Sequence, residues 1–197
     1  LGITVDAYVA SIGPVSVSMD RFNLEEARRN PTGMPAAEAS AQAEEYLQKC
    51  IENQDSAGGV VSCKVHGMPA GIGEPVFDKL DACLGQAVMS IGAVKAFAVG
   101  DGCEVSKKNG STNNDAFCNV NGQISKKTNH AGGILGGISD GFDIILRANF
   151  KPTPSIYQKQ QTVNQAGEEI EIQIKGRHDP IVVSRAVVVV EAMTAVT

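Results

Sequence analysis

Residues 3–12 alternate, with Ile3, Val5, Ala7 and Val9 on one side and Thr4, Asp6, Tyr8 and Ala10 on the other. That period of two predicts an opening strand, ended by Gly13 and Pro14. Ala39, Ala43, Leu47, Cys50 and Ile51 then recur at helical spacing, with Glu38, Gln42, Glu45 and Gln48 elsewhere on the wheel, so a helix is predicted there, closed by Gly58 and Gly59. VVSCKVHG (60–67) is β-branched and alternating and reads as a strand. Phe77, Leu80, Leu84, Val88 and Ile91 mark a second helix, with Pro75 in its first turn, where a missing amide costs nothing. A third strand is expected at about 93–99.

Residues 100–128 are rich in Gly, Asn, Ser and Lys and read as a long loop, functional or mobile. FDIILRANF (142–150) reads as a strand. In EEIEIQIKG (168–176), Ile170, Ile172 and Ile174 alternate against Glu171, Gln173 and Lys175, which predicts a strand with one wet face. AVVVVEAMTAV (186–196) is a strand by propensity and equally a buried helix, because a short apolar run has no readable period. Strands and helices grouped in this way predict an α+β fold. With no Pro-, Gly- or Ser-rich linker and no repeat, residues 1–197 are read as a single domain.

A chain of 197 residues with 43% hydrophobic content can bury a core. Its formal charge of -5 gives no whole-molecule attraction to polyanions, and Lys107, Lys108, Lys126 and Lys127 are too few, with no tryptophan for stacking, to predict nucleic-acid binding. No stretch approaches the roughly 20 apolar residues of a spanning helix, so no membrane segment is expected. Cys50, Cys63, Cys83, Cys103 and Cys118 are odd in number and lack C-x-x-C spacing, so reduced thiols in a cytosolic setting are expected rather than disulfides or a zinc site. His66, His130 and His178 show no metal-ligand spacing, and no metal is assigned. The first residue is Leu1, and the start lacks the pattern of a secretory signal, so the chain is expected to be cut from something longer.

Three stretches could carry chemistry. TNHAGGILGGISDG (128–141) places Gly132, Gly133, Gly136, Gly137 and Gly141 where the backbone can approach a flat or charged ligand, or simply turn tightly. KPTPS (151–155) sets the cation of Lys151 and the hydroxyls of Thr153 and Ser155 around Pro152 and Pro154, a rigid frame for an anion or a rigid connection between strands. GRHDP (176–180) joins Arg177, able to grip phosphate in a forked geometry, to Asp179, able to orient it or take a proton; the same residues also make an ordinary turn with an ion pair.

Together with GMPAGIGEPVFDKLDA (67–82), these stretches resemble, in order and separation, the C-terminal part of chorismate synthase. The resemblance runs from Leu1 to Thr197. It implies a layered β-α-β sandwich of mainly antiparallel sheets, here a truncated portion. It also implies a lyase of the shikimate pathway that uses reduced FMN to eliminate phosphate from 5-enolpyruvylshikimate-3-phosphate in a trans 1,4 sense. Carried over by motif, Gly92, Ala93, Gly136, Lys151, Pro152, Thr153, Pro154, Ser155 and Arg177 would contact FMN, and Asp179 would help accept the substrate proton. The family is cytoplasmic and tetrameric, and some members reduce their flavin with NADPH. Gly92, Ile181, Ser184 and Val188 depart from residues common in the family. The family's first two motifs, with both catalytic histidines, have no counterpart here, so this chain alone is expected to be inactive; a scaffold or oligomerisation piece without ligand affinity is the alternative.

Overall fold

The structure, a computed structural model, describes residues 2–176 and 179–197. The opening alternation forms β1 (Thr4–Ile12), with Ala7, Val9 and Ile12 buried, and Gly13 turns the chain into β2 (Val15–Ser16), paired antiparallel through Ile12 and Val15. A short α1 (Leu24–Ala27) follows, its first turn capped by the Asn23 carboxamide accepting from the Glu25 amide. In α2 (Ala37–Glu52), Ala39, Ser40, Ala43 and Cys50 are buried as the helical period requires. Ile51 departs from the prediction at 52% exposed, because it lies on the last turn, beyond the stripe that Ala39 and Ala43 define.

β3 (Gly59–His66) is the predicted strand. Helix α3 (Leu80–Met89) buries Leu80, Leu84 and Val88, but it starts later than Pro75 suggests. Proline suits a tight turn as well as a first helical turn, and here the Glu74 amide bonds the Asp78 carbonyl at 2.9 Å around it. Phe77 is therefore outside the helix and 90% exposed. After β4 (Val94–Val99), residues 100–128 form no featureless loop. They contain a 3-10 turn, α4 (Gly110–Asn113), β5 (Phe117–Val120) and β6 (Gln123–Lys126). Local turn chemistry suffices to fold a polar hairpin that hydrophobic periodicity does not announce.

The glycine stretch contains β7 (Ile134–Leu135) and β8 (Ile138–Ser139), and β9 (Ile144–Phe150) buries every second residue from Ile144 to Phe150. β10 (Gln160–Val163) pairs with β11 (Glu169–Ile172), and β11 is exposed along its whole length. The expected dry face is absent because Ile170 and Ile172 belong to a two-stranded sheet whose residues stay open to solvent, at 37% and 39% exposed. The ambiguous apolar run is helical: α5 (Val183–Val196) buries Val183, Ala186, Val190 and Thr194, a stripe at spacings of three and four.

β2, β1, β3, β9 and β4 lie in that order in a five-stranded sheet, and three two-stranded sheets are antiparallel hairpins, so the fold class is α+β with mostly antiparallel sheets. Two compact units can be distinguished. The first comprises 1–7, 62–148 and 188–197, and the second 8–61 and 149–187. Because each is assembled from separated segments, no single linker marks them in the sequence. In the first, Gly85 of α3 lets the Phe97 ring of β4 lie close, since a Cβ there would sit 3.2 Å from the ring.

Candidate functional site

In the second unit, β9 runs out at Phe150 into the segment 151–155, with Lys151, Thr153 and Ser155 half-buried and both prolines exposed. Gly58 lets that segment pass: a Cβ there would lie 2.6 Å from the Phe150 carbonyl oxygen and 3.2 Å from the Pro152 ring. The Ser56 hydroxyl donates to the Thr153 carbonyl at 2.7 Å, and the Ala57 amide donates to the Pro180 carbonyl at 2.8 Å. Residues 56–58 thus join the KPTPS and GRHDP stretches from one side. Sequence reading took Gly58 and Gly59 only as a helix stop.

Ser155 and Asp179 line one hollow together with Asp55, Ser56, Tyr157 and Pro180. At about 60 Å³ it has room for about two water molecules, so a larger ligand would rest on its rim. Two features make this segment chemically unfinished. Lys151 has no ion-pair partner among the described residues, and the Thr153 hydroxyl is buried with no hydrogen-bond partner there. A buried hydroxyl without a partner is costly and points to a missing acceptor or donor. The Asp179 carboxylate is paired with Arg185 on the first turn of α5, a partner that sequence reading did not name. Arg177 lies outside the described residues.

In the first unit, Gly136 and Gly137 form the tip of the β7–β8 hairpin with φ of 61° and 88°, a type I′ pair that side chains resist. No atom lies within 4 Å of where a Gly136 Cβ would stand, so this tip is open. The Gly137 carbonyl accepts the Leu80 amide at 2.7 Å, which places the tip at the start of α3. Gly92 and Ala93 follow the other end of α3, where Ala93 takes φ 71°. A ten-residue helix rises about 15 Å, so α3 holds these two predicted contact points apart rather than together.

The glycine stretch is held by charges that sequence reading missed. The side chain of Lys126, weighed from sequence only as a nucleic-acid contact, is 3% exposed and paired with Asp140, with Asp115 at 3.7 Å. Burial pushes the Asp115 carboxyl up, but hydrogen bonds from Thr128, Ala131 and His130 and the charge of Lys126 outweigh it and bring it down to about 2. Lys108 pairs with Asp101, which also takes His130 Nδ1 at 2.6 Å, and these contacts lower the Asp101 carboxyl, Lys108 first. Lys107 is paired with Glu104 at 2.9 Å. Three of the four lysines weighed for nucleic acid are therefore already neutralised.

A separate hollow of about 640 Å³ in the first unit is apolar, with Val65, Leu80, Leu84 and Ile144 in its wall, and contains none of the predicted site residues. The five cysteines are free, and burial pushes the Cys63 thiol up to about 11. Among the described residues no group of three metal-ligating side chains gathers, and no helix is long and apolar enough to cross a membrane.

The molecule is an α+β protein whose glycine hairpin has an open tip at Gly136 and whose proline-stiffened segment carries a buried hydroxyl with no partner among the described residues. Its architecture is similar to a crystal structure of chorismate synthase, with a TM-score of 0.79 and 27% identity over 99% of this chain and 55% of that one. A sequence model of chorismate synthase matches residues 1–197, and the chain belongs to that family. It is 59% identical over 198 residues to the chorismate synthase of Lachnoclostridium phytofermentans, and 54% identical over 197 residues to that of Agathobacter rectalis. Both alignments take in 100% of this chain and 54% of the relative, so the chain spans about half the length of the curated relatives it matches.

Proposed function

We propose that this chain is a flavin-binding portion of a chorismate synthase, acting on 5-enolpyruvylshikimate-3-phosphate with reduced FMN in the cytoplasm as part of a homotetramer. The observation that carries this reading is the cation of Lys151 and the buried hydroxyl of Thr153, both without partners among the described residues, on one rigid segment tied through Ser56 and Ala57 to the stretch bearing Asp179. Those groups suit a ligand that is both anionic and rich in acceptors, and FMN has that character through its phosphate and ribityl chain.

Reduced FMN, when bound, supplies electron density to the substrate as its allylic phosphate departs. The chain's residues do the rest. Lys151 neutralises phosphate, Thr153 and Ser155 offer hydroxyls, and Pro152 and Pro154 keep the segment from rearranging, so that little order has to be imposed on binding. Asp179, paired with Arg185, would take up the proton that substrate gives up. The balance is that the allylic C–O bond breaks with its electron pair leaving on phosphate, a C–H bond breaks with its proton leaving, the C–H pair becomes one new double bond, and the existing double bond shifts by one position to the carbon that phosphate leaves.

Anaerobic titration of the 197-residue chain with reduced FMN tests the reading. Saturable binding is expected, and Lys151→Ala should weaken it about tenfold or more, the cost of one charge-assisted contact. Phosphate release from the substrate by this chain alone is expected to be absent. A chain that takes up no flavin is a scaffold, and the reading fails.

A further inference from the structure

Lys126 and its two carboxylates form a cluster to which the flavin reading gives no task. The side chains of Lys126, Asp115 and Asp140 are 3%, 3% and 7% exposed. The ammonium also lies 5.6 Å and 5.2 Å from the ring centroids of Phe117 and Phe142. Charges this dry persist only when each finds enough partners to replace water. Apart from Phe117 and Phe142, which flank it, the partners found here belong to the glycine stretch. Asp115 accepts the Thr128 hydroxyl at 2.6 Å and the amides of His130 and Ala131 at 2.7 and 2.9 Å, which fixes the stretch where it begins. Asp140 accepts the Phe142 amide at 3.0 Å, and its own amide donates to the Gly133 carbonyl at 3.0 Å, which fixes the stretch where it ends.

Asn129 reinforces the same point from within. Its carboxamide oxygen accepts the Gly133 amide at 2.9 Å and Lys126 Nζ at 3.4 Å, while its nitrogen donates to the Asp143 carbonyl at 2.8 Å. The Gly133–Asp140 pair is the base of the β7–β8 hairpin, and Gly136 is at its tip. A single ammonium therefore spans both sides of that base. Gly136 has nothing packed on it, while its neighbour Gly137 lies against the Lys79 side chain and accepts the Leu80 amide at 2.7 Å, so the tip is set from two sides, by the start of α3 and by the base below it.

We propose that Lys126 is a positioning residue for the Gly136–Gly137 tip, holding the hairpin base closed so that the tip is offered to its ligand in one place. That the ligand is FMN rests on the function proposed above; that Lys126 sets the tip does not. A role confined to stability would lower the unfolding midpoint and leave the folded tip unchanged.

The test compares wild type, Lys126→Met, which keeps length and loses charge, and Lys126→Arg, which keeps charge, by backbone-amide NMR and by FMN titration of the 197-residue chain. In Lys126→Met the amides of Gly133, Gly136, Gly137 and Asp140 should move or broaden while those of β3 and β9 stay, and FMN affinity should fall roughly tenfold, the usual scale for losing one preorganising contact. Lys126→Arg should restore both. Unmoved tip amides in Lys126→Met overturn the proposal, as do moved amides with unchanged FMN affinity. If wild type takes up no FMN, the functional reading fails at its own test and the amide comparison decides the role of Lys126. If Lys126→Met does not fold, Asp140→Asn takes its place, with displaced Gly133 and Gly136 amides expected and undisturbed ones overturning the idea.

Discussion

β5–β6 and β10–β11 are hairpins of the same size, four residues to a strand and four antiparallel pairs each, and both mix polar with apolar residues. Each turn is locally sound. Asn121 and Gly122 take φ of 54° and 84° at the first, as a two-residue hairpin loop demands. At the second, the Asn164 carboxamide accepts the amides of Ala166 and Glu168 at 2.9 and 3.0 Å. They differ in what lies beyond the ladder. β6 ends in Lys126, buried among carboxylates and rings, whereas the ion pair of the other hairpin, Lys159 with Glu171 at 2.7 Å, is 68% and 43% exposed. A turn makes a hairpin; a buried contact from outside it decides whether the hairpin can support anything else.

The largest expected effect breaks the first hairpin's anchor. Lys126→Met leaves two buried carboxylates without their cation, and removing one partner of such a group costs about 3–5 kcal/mol. Urea unfolding of the folded chain should show that loss in the midpoint with little change in slope. A loss below about 1 kcal/mol would mean that water already reaches the cluster, and the contrast between the hairpins would disappear.

Acid gives a smaller effect with a defined direction. The Asp115 carboxyl is held at about 2 against an ordinary 3.8, so the folded state favours its ionised form. That contribution is complete above about pH 4 and is lost as pH falls through the folded value. It amounts to about 2 kcal/mol. Comparing wild type with Asp115→Asn, the difference in unfolding free energy should be constant from about pH 7 to 5 and shrink toward pH 2. A difference that does not change over this range would show that Asp115 is not the group being protonated.

The same contrast explains what the sequence reveals and what it hides. The alternation in β1, β3 and β9 and the stripe of α2 are legible because burial repeats every two or three to four residues along one segment. α5 is ambiguous because Val187, Val188, Val189 and Val190 are uniformly apolar, and only the buried positions Val183, Ala186, Val190 and Thr194 disclose its period. The cluster around Lys126 is not legible because its partners Asp115 and Asp140 lie 11 and 14 residues away in the chain, between elements. Lys151, Thr153 and Asp179 are visible as residue types, but that Ser56 and Ala57 bridge their segments is not, since a hydroxyl and an amide after a helix carry no pattern. Pro75 shows the opposite failure: a residue with a clear preference that two local structures satisfy equally.

The smallest effect sharpens the comparison from the other side. Lys159→Ala removes the ion pair beside β10, yet both charges keep most of their water and the lysine regains its side-chain freedom, so the Coulombic gain and the ordering cost nearly cancel. The expected change in unfolding free energy is under about 0.5 kcal/mol, and at about 0.5 M salt even that should vanish, because the screening length is then only a few ångströms. Lys126→Met should keep its cost at the same salt, since ions do not screen what solvent does not reach. If Lys159→Ala instead cost as much as Lys126→Met, burial would not be what separates the two hairpins, and the role given to Lys126 would have to rest on the amide shifts alone.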